Sequence, residues 1–267
     1  MESLIMYNIC ENFLSFLGDV EEIPRKIHVS WKENNFEKLV SSDNPMILNG
    51  IQNLKDMNPD WDLKISNDEE VEEYIKSNID KSDYSLLKDV DIVAKTDVWR
   101  LIKMYNEGGL YMDIDRYYNI PLHEIITPKV KCLLPMHLDL FFSQDTMCSV
   151  AGNPIYSCAL ERLFSERKKG NTNVLNLAVH VYNWGTTKVI FGEVISTPFK
   201  DKTNDIMNSI SNCNSLKTFK EGHGKSRTLF FDPLKDGWKE GNGFSKANFY
   251  SSQGTEHWKK RYRKNGK

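Results

Sequence analysis

The sequence predicts an α/β protein: a sheet flanked by helices. Three observations lead there. KIHVSW (Lys26–Trp31), a helix-like stretch and the alternating run from Asp60 to Ile65 read in order as strand, helix, strand. A long helical period over Ile92–Glu107 then feeds through a double glycine into a second apolar run. Beyond Pro121 the pattern loosens, yet two further helix-like stretches remain.

Each element has its own reason. The start, MESLIMYNICENFLSFLGDVEEIP, reads as an amphipathic helix over residues 1–22 that lies on the core, with a turn from Glu21 to Pro24. The strand Lys26–Trp31 follows that proline. SSDNPMILNGIQNLKDMNPD is a helix with an Asn-Pro at each side. After the strand Asp60–Ile65, Asn67–Asn78 forms a short acidic helix with Val71, Tyr74 and Ile75 on one side.

In Ile92–Glu107, the positions Val98, Leu101, Ile102 and Tyr105 follow helical spacing and are expected to face the core, while Asp97 and Arg100 share another face. Gly108 supplies the residue that turns left-handed at the helix end, and Gly109 lets the next strand start close by. In that strand Leu110, Met112 and Ile114 point one way and Tyr111, Asp113 and Asp115 the other. Both aspartates then lie on one side at the carboxyl edge, where open α/β sheets bind ligands. Val130–Leu134 and Leu229–Phe231 read as strands, Pro154–Arg167 and Leu175–Asn183 as helices, and Val189–Ser196 as a strand or a helix end. Residues 23–258 are expected to form the main domain, and the basic residues 259–267 a mobile tail.

Composition excludes several classes. The chain has 267 residues, 27% charged and 40% hydrophobic, with a net charge of −2, so global charge argues against a nucleic-acid binder. Five cysteines without a CxxC suggest neither a disulfide framework nor a zinc site, only buried or half-buried thiols in a reducing compartment. The start has no basic region before an apolar one, and no run reaches the ~18 to 20 apolar residues of a membrane span. The expected location is the cytoplasm, with peripheral membrane contact open to the basic tail.

The aspartate pair in EGGLYMDID (Glu107–Asp115) admits three readings. The two carboxylates are solvated at a strand end, beside Arg116. They are a phosphatase nucleophile pair, although Tyr117 and the mid-chain position fit that pattern poorly. Or they share a hard divalent cation with a substrate's phosphates, as in sugar-nucleotide transferases. The stretch GHGKS (Gly222–Ser226) suggests a phosphate loop, but Phe219 occupies the place of the required first glycine, so it reads as a mobile loop. His28 within an apolar strand is by default a core histidine. Trp31 is either core or a platform for a base. His257, beside Trp258 in a polar segment, fits a metal ligand better than a core residue.

Two blocks carry a family resemblance. IPRKIHVSWK (Ile23–Lys32) and AKTDVWRLIKMYNEGGLYMDID (Ala94–Asp115) resemble the opening strand and central block of the DXD-motif glycosyltransferases of family 32, relatives of the yeast initiating α-1,6-mannosyltransferase and, more distantly, of the large clostridial glucosylating toxins. The central block matches at Asp97, Arg100, Gly108, Gly109, Tyr111, Asp113 and Asp115, and residues 24–121 carry most of the resemblance. It implies a GT-A-type nucleotide-binding sheet with helical elements on the acceptor side. His28 and Trp31 would lie at the nucleotide base, with Tyr111 also on the donor side. Asp97 and Arg100 would hold the donor sugar and its phosphate. Asp113 would contact ribose and sugar near the metal, and Asp115 would bind the metal. Gln144 corresponds poorly to a family Asn, and STP (Ser196–Pro198) lacks the glycine of a family Thr-Gly-Pro. The family's terminal His-His…Ser-Trp maps onto SSQGTEHW (Ser251–Trp258) in two registers, which offer His257 or Ser252 to the metal.

The resemblance therefore implies a hexosyltransferase using Mn²⁺ or Mg²⁺ and a UDP-sugar or GDP-sugar. A glycan or other hydroxyl compound would be the acceptor, and the anomeric configuration would be retained. Two rivals remain at this point: a catalytically degenerate protein that binds sugar nucleotides or glycans, and a structural protein with merely solvated carboxylates. The first would bind nucleotide without turnover; the second would show no metal-dependent change in stability.

Overall fold

A computed structural model of the protein describes residues 22–35, 37–38, 45–118, 121–128, 130–137, 141–171, 174–191, 216–218, 227–231 and 238–240. The chain enters the sheet as β1 (Lys26–Ser30), where Ile27 and Val29 are buried. Helix α1 (Pro45–Met57) begins on a proline, whose missing N–H costs nothing in a first helical turn. After β2 (Asp62–Ser66), Asn67 starts α2 (Asp68–Asn78) with a capping box. Its side chain accepts the Glu70 N–H at 2.9 Å, and the Glu70 carboxylate accepts the Asn67 N–H at 3.0 Å. Val71 and Ile75 are buried and Tyr74 half-buried, as the spacing predicts. A short turn of helix, α3 (Lys81–Ser85), leads to α4 (Ile92–Glu107).

Helix α4 is the central strut. Asp91 caps it by accepting the Val93 N–H at 2.9 Å. It packs against α2 on one side and is covered on others by later helices, so Ala94, Lys95 and every residue from Asp97 to Met104 are buried. Tyr105 departs from its expected core position: it is the exposed large hydrophobic residue of the described chain, at 37%. The last turn of α4 emerges beside the end of α2, in a cleft lined by Asn78, Ile79, Tyr105 and Phe164, so the helical stripe outruns the core.

At the end of α4 the chain reverses through Gly108 (φ 62°) and Gly109 (φ 92°). A Cβ on Gly108 would lie 2.6 Å from Ala151 N, and one on Gly109 2.6 Å from Lys26 O, so both positions require glycine for conformation and for space. The strand that follows, β3 (Gly109–Met112), stops sooner than its apolar run suggests. Asp113 donates its N–H to Asp145 O at 2.8 Å, and Arg116 N–H closes a turn onto Asp113 O at 2.9 Å. Asp113 and Asp115 therefore sit in a turn at the carboxyl end of β3, and strand alternation does not set their directions.

The chain continues through β4 (Arg116–Tyr118), α5 (Leu122–Ile125), β5 (Val130–His137), β6 (Phe141–Phe142), β7 (Thr146–Ser149), α6 (Pro154–Lys168) and α7 (Val174–Phe191). Three short strands complete the described elements: β8 (Leu216–Thr218), β9 (Arg227–Phe231) and β10 (Trp238–Glu240). The main sheet runs β2-β1-β3-β7-β5-β9-β8, with β6 on β5, and β10 pairs with β4 in a separate ribbon. β1 is parallel to β2 and β3, whereas β7 is antiparallel to both β3 and β5. Helices α6 and α7 pack together through Tyr156 and Tyr182, whose stacked rings lie 6.2 Å apart. Val189 proves to be part of a helix end, since α7 extends to Phe191.

The α/β class with helices flanking a sheet is as the sequence predicts. Among the described residues no helix is long and apolar enough to cross a membrane. Cys132 and Cys148 are buried free thiols and Cys158 is half-buried. Burial pushes the Cys132 thiol up to about 12, so it stays protonated. The expected N-terminal helix up to residue 21, the GHGKS and STP stretches, Ser252, His257 and the basic tail lie outside the described residues.

Candidate active site

Helix α4 and the turn after β3 meet at Arg100. Its Nη2 pairs with Asp97, one turn back on the helix. Its Nη1 donates to Asp113 Oδ1 at 3.2 Å and to Gln144 O at 2.6 Å. The guanidinium carbon lies 4.7 Å from the centre of the Tyr111 ring, and the Tyr111 hydroxyl donates to the same Asp113 oxygen at 2.6 Å. A planar guanidinium suits this place because it bridges two carboxylates and stacks on a ring at once. Burial works against its charge, but Asp97 and then Tyr111 and Asp113 hold its proton affinity above the ordinary value. Burial also pushes the Tyr111 phenol well up, with Arg100 opposing and Asp113 reinforcing the shift, so the hydroxyl remains a donor.

The fold thus brings Asp97, Arg100, Tyr111 and Asp113 into one connected group. Asp115 lies two residues on in the same turn and is only 4% exposed. Asp115 is thus not a solvated surface carboxylate, while Asp113 is half-buried, and Arg116 does not serve the motif in the way that reading supposed. Its guanidinium pairs with Asp145 instead.

His28 and Trp31 take different places. His28 is 3% exposed and donates Nε2–H to Gly108 O at 2.9 Å. The carbonyl can only accept, which fixes the tautomer and leaves Nδ1 without a hydrogen. Burial, then the nearby Lys103 ammonium, lowers its pKa to about 4, so the ring is neutral. In this structure His28 braces the end of α4 against β1. Trp31 is half-buried just beyond β1, donates its backbone N–H to Ser66 O at 2.9 Å, and has the Lys32 ammonium 5.7 Å from its ring centre.

The donor set suits a hard divalent cation, since Asp113 and Asp115 offer carboxylate oxygens and nothing soft. Among the described residues no group of three or more His, Cys, Asp or Glu side chains comes together as metal ligands. Two carboxylates are what a cation needs when a diphosphate and water complete its shell.

Between β6 and β7 the sequence points only to Gln144, as a poor counterpart of a family Asn. Gln144 and Asp145 are tied directly to Arg100, Asp113 and Arg116, and Ser143 joins them through the Asp145 carboxylate. The Gln144 carboxamide is buried, and among the described residues neither its oxygen nor its nitrogen has a hydrogen-bond partner. A buried amide in that state calls for a partner, and a ligand hydroxyl both donates and accepts. The strands around it are two and four residues long, too short for alternation to show.

Comparison with known proteins gives a family match and two similar proteins. Residues 22–130 match the family described as "Glycosyltransferase sugar-binding region containing DXD motif". Inositol phosphoceramide mannosyltransferase 1 of Schizosaccharomyces pombe (strain 972 / ATCC 24843) is 26% identical over 154 residues, which make up 55% of this chain and 44% of that protein. The chain therefore spans less than half the length of this relative. Among solved structures, the PaToxG glycosyltransferase is similar with a TM-score of 0.49 and 20% identity, over 78% of this chain and 83% of that one. Over residues 22–130, then, this chain is similar to the glycosyltransferase sugar-binding regions that contain a DXD motif.

Proposed function

We propose that the protein is a metal-dependent hexosyltransferase, moving a sugar from a nucleoside diphosphate to a glycan or other hydroxyl acceptor with retention of configuration. The observation that carries this reading is the group in which the buried Arg100 joins Asp97 to Asp113, beside the buried Asp115 at the carboxyl end of β3. Asp115 and Asp113, with His257 from outside the described residues, would hold Mn²⁺ or Mg²⁺. The cation would offset the charge that grows on the departing nucleoside diphosphate.

The remaining proposed roles rest on the family resemblance and are consistent with the hydrogen bonds. Arg100 keeps Asp97 and Asp113 oriented, so that Asp97 would accept from donor-sugar hydroxyls and Asp113 from ribose and sugar. Tyr111 locks the Asp113 rotamer. Gln144 contributes a carboxamide to the donor or acceptor. Trp31 covers the base, and His28 supports that wall from behind. No dedicated general base is needed, because in a retaining front-face route the leaving phosphate would take the acceptor's proton. The transferase domain is proposed to run over residues 23–258, with the basic residues 259–267 free to meet an anionic surface. The name of the fission-yeast relative puts mannose first in the donor-sugar screen.

The test is thermal stability with UDP and with GDP, each with and without Mn²⁺. Ligand at 100 times its dissociation constant adds about 2.7 kcal/mol. A metal-dependent rise with one nucleotide, lost in Asp115→Ala, is the expected result. The same variant is expected to lose on the order of 10²-fold or more in transfer. Near-normal, metal-dependent transfer by Asp115→Ala would sink the assignment.

A further inference from the structure

We propose that Asp145 is a positioning residue for the Asp113–Asp115 turn, acting through Arg116. The inference rests on the metal-diphosphate reading and extends it to a residue that touches neither metal nor substrate. Three consecutive residues form a strap across the site. Ser143 N–H is anchored to Pro135 O on β5 at 2.8 Å. The Gln144 carbonyl receives Arg100 Nη1 at 2.6 Å. The Asp145 carbonyl receives the Asp113 N–H at 2.8 Å. The strap runs straight into β7, where Thr146 is in register with Met112 of β3, so it is built on the same strand pair that delivers the motif.

The Asp145 side chain completes the arrangement. One carboxylate oxygen pairs with the Arg116 guanidinium and the other accepts the Ser143 hydroxyl at 2.6 Å. Both members of the ion pair are largely buried, with side-chain exposures of 10% and 16%. Arg116 directly follows Asp115, and its N–H closes the turn onto Asp113 O. A guanidinium placed there has two destinations. Paired with Asp145, it holds the turn from outside. Released, it falls among the motif carboxylates, where an opposite charge within a few ångströms competes with any cation. Asp145 thus holds the turn and keeps a positive charge occupied elsewhere. Residues that orient metal ligands from behind typically shift metal affinity about 10–100-fold when changed.

The test measures Mn²⁺ binding directly, from the electron paramagnetic resonance signal of free Mn²⁺, in the presence of UDP or GDP and independent of turnover. Asp145→Asn keeps the shape and removes the charge. It is expected to raise the Mn²⁺ midpoint about 10-fold or more. The double variant Arg116→Gln/Asp145→Asn, which also removes the released cation, is expected to return toward the wild-type midpoint. A purely structural role predicts a double variant no better than the single one, and that result overturns the proposal. So does an unchanged midpoint in a folded Asp145→Asn. If Asp145→Asn does not fold, Asp145→Glu displaces the ion pair by one methylene and is expected to raise the midpoint several-fold, with no change again counting against the idea. Wild-type protein that binds no Mn²⁺ with either nucleotide removes the underlying site. That failure is distinguishable because it appears before any variant is compared.

Discussion

The two ends of helix α4 carry the same kind of chemistry and use it differently. Toward its start, Asp97 and Arg100 form an i, i+3 ion pair; toward its end, Lys103 and Glu107 form an i, i+4 pair. Both cations are buried. The second pair closes on its own neighbourhood. Lys103 lies 4.0 Å from the Tyr74 ring centre, Glu107 also reaches Lys26 at 3.4 Å, and His28 fills the space beneath Gly108. The first pair reaches out of the helix, to a carboxylate in the motif turn and to a loop carbonyl. Charge type and helical spacing are shared. What separates a structural cluster from a candidate site is where its remaining bonds go.

That contrast can be broken at either end. The largest effect is expected from Arg100→Leu, which leaves Asp97 buried without that cation. Removing one partner of a buried pair costs about 3–5 kcal/mol. Urea denaturation should show this loss, and nucleotide-dependent Mn²⁺ binding should disappear with it. A loss below about 1 kcal/mol would mean that Arg100 is not the keystone of the group.

Acid should attack the other end. The His28 pKa is about 4 in the folded protein against 6.5 ordinarily, so an unfolded chain takes up the proton first as pH falls. The associated stability is complete above pH 6.5 and is lost progressively down to pH 4. At about 1.4 kcal/mol per unit, the loss approaches about 3 kcal/mol. Unfolding midpoints between pH 7 and pH 4 should follow that slope, and a folded His28→Asn variant should flatten it.

The smallest effect is expected for Glu107→Gln. Glu107 is partly exposed. Burial opposes its ionisation, but the Lys103 ammonium holds its pKa down to about 2. Solvent screening limits the contribution, so a cost of about 1 kcal/mol or less is expected, with the nucleotide-dependent Mn²⁺ shift unchanged. A variant that keeps its stability and loses the shift would merge the two clusters into one functional unit.

These clusters also mark what the sequence could reveal. The Asp97–Arg100 pair and the double glycine were legible because helical period and chain reversal are local properties. So were the short acidic helix from Asn67 and the strand after Pro24. The end of β3 was not legible, since a tertiary hydrogen bond from Asp113 to Asp145 breaks the alternation. Tyr105 was misplaced because periodicity does not say where a core stops. Of the strap from Ser143 to Asp145 only Gln144 was noticed, through the family, because the strap's role comes from contacts 29 to 44 residues away along the chain. His28 reads from sequence as a core residue or, through the family, as part of a base pocket; its bond to Gly108 appears only in three dimensions.

The glycine reversal has one more consequence. Arg100 and Asp113 are 13 residues apart in the chain and meet across it. Closing so short a loop costs little entropy, and the cost grows only as about (3/2)RT ln n with loop length. Much of the candidate donor site can therefore assemble from one contiguous stretch, early in folding, before the distant strands β8 and β9 are recruited. The same ruler sets a limit on variation. An inserted residue between Arg100 and Asp113 would turn the guanidinium away from its carboxylate, whereas insertions between α7 and β8 leave that register untouched.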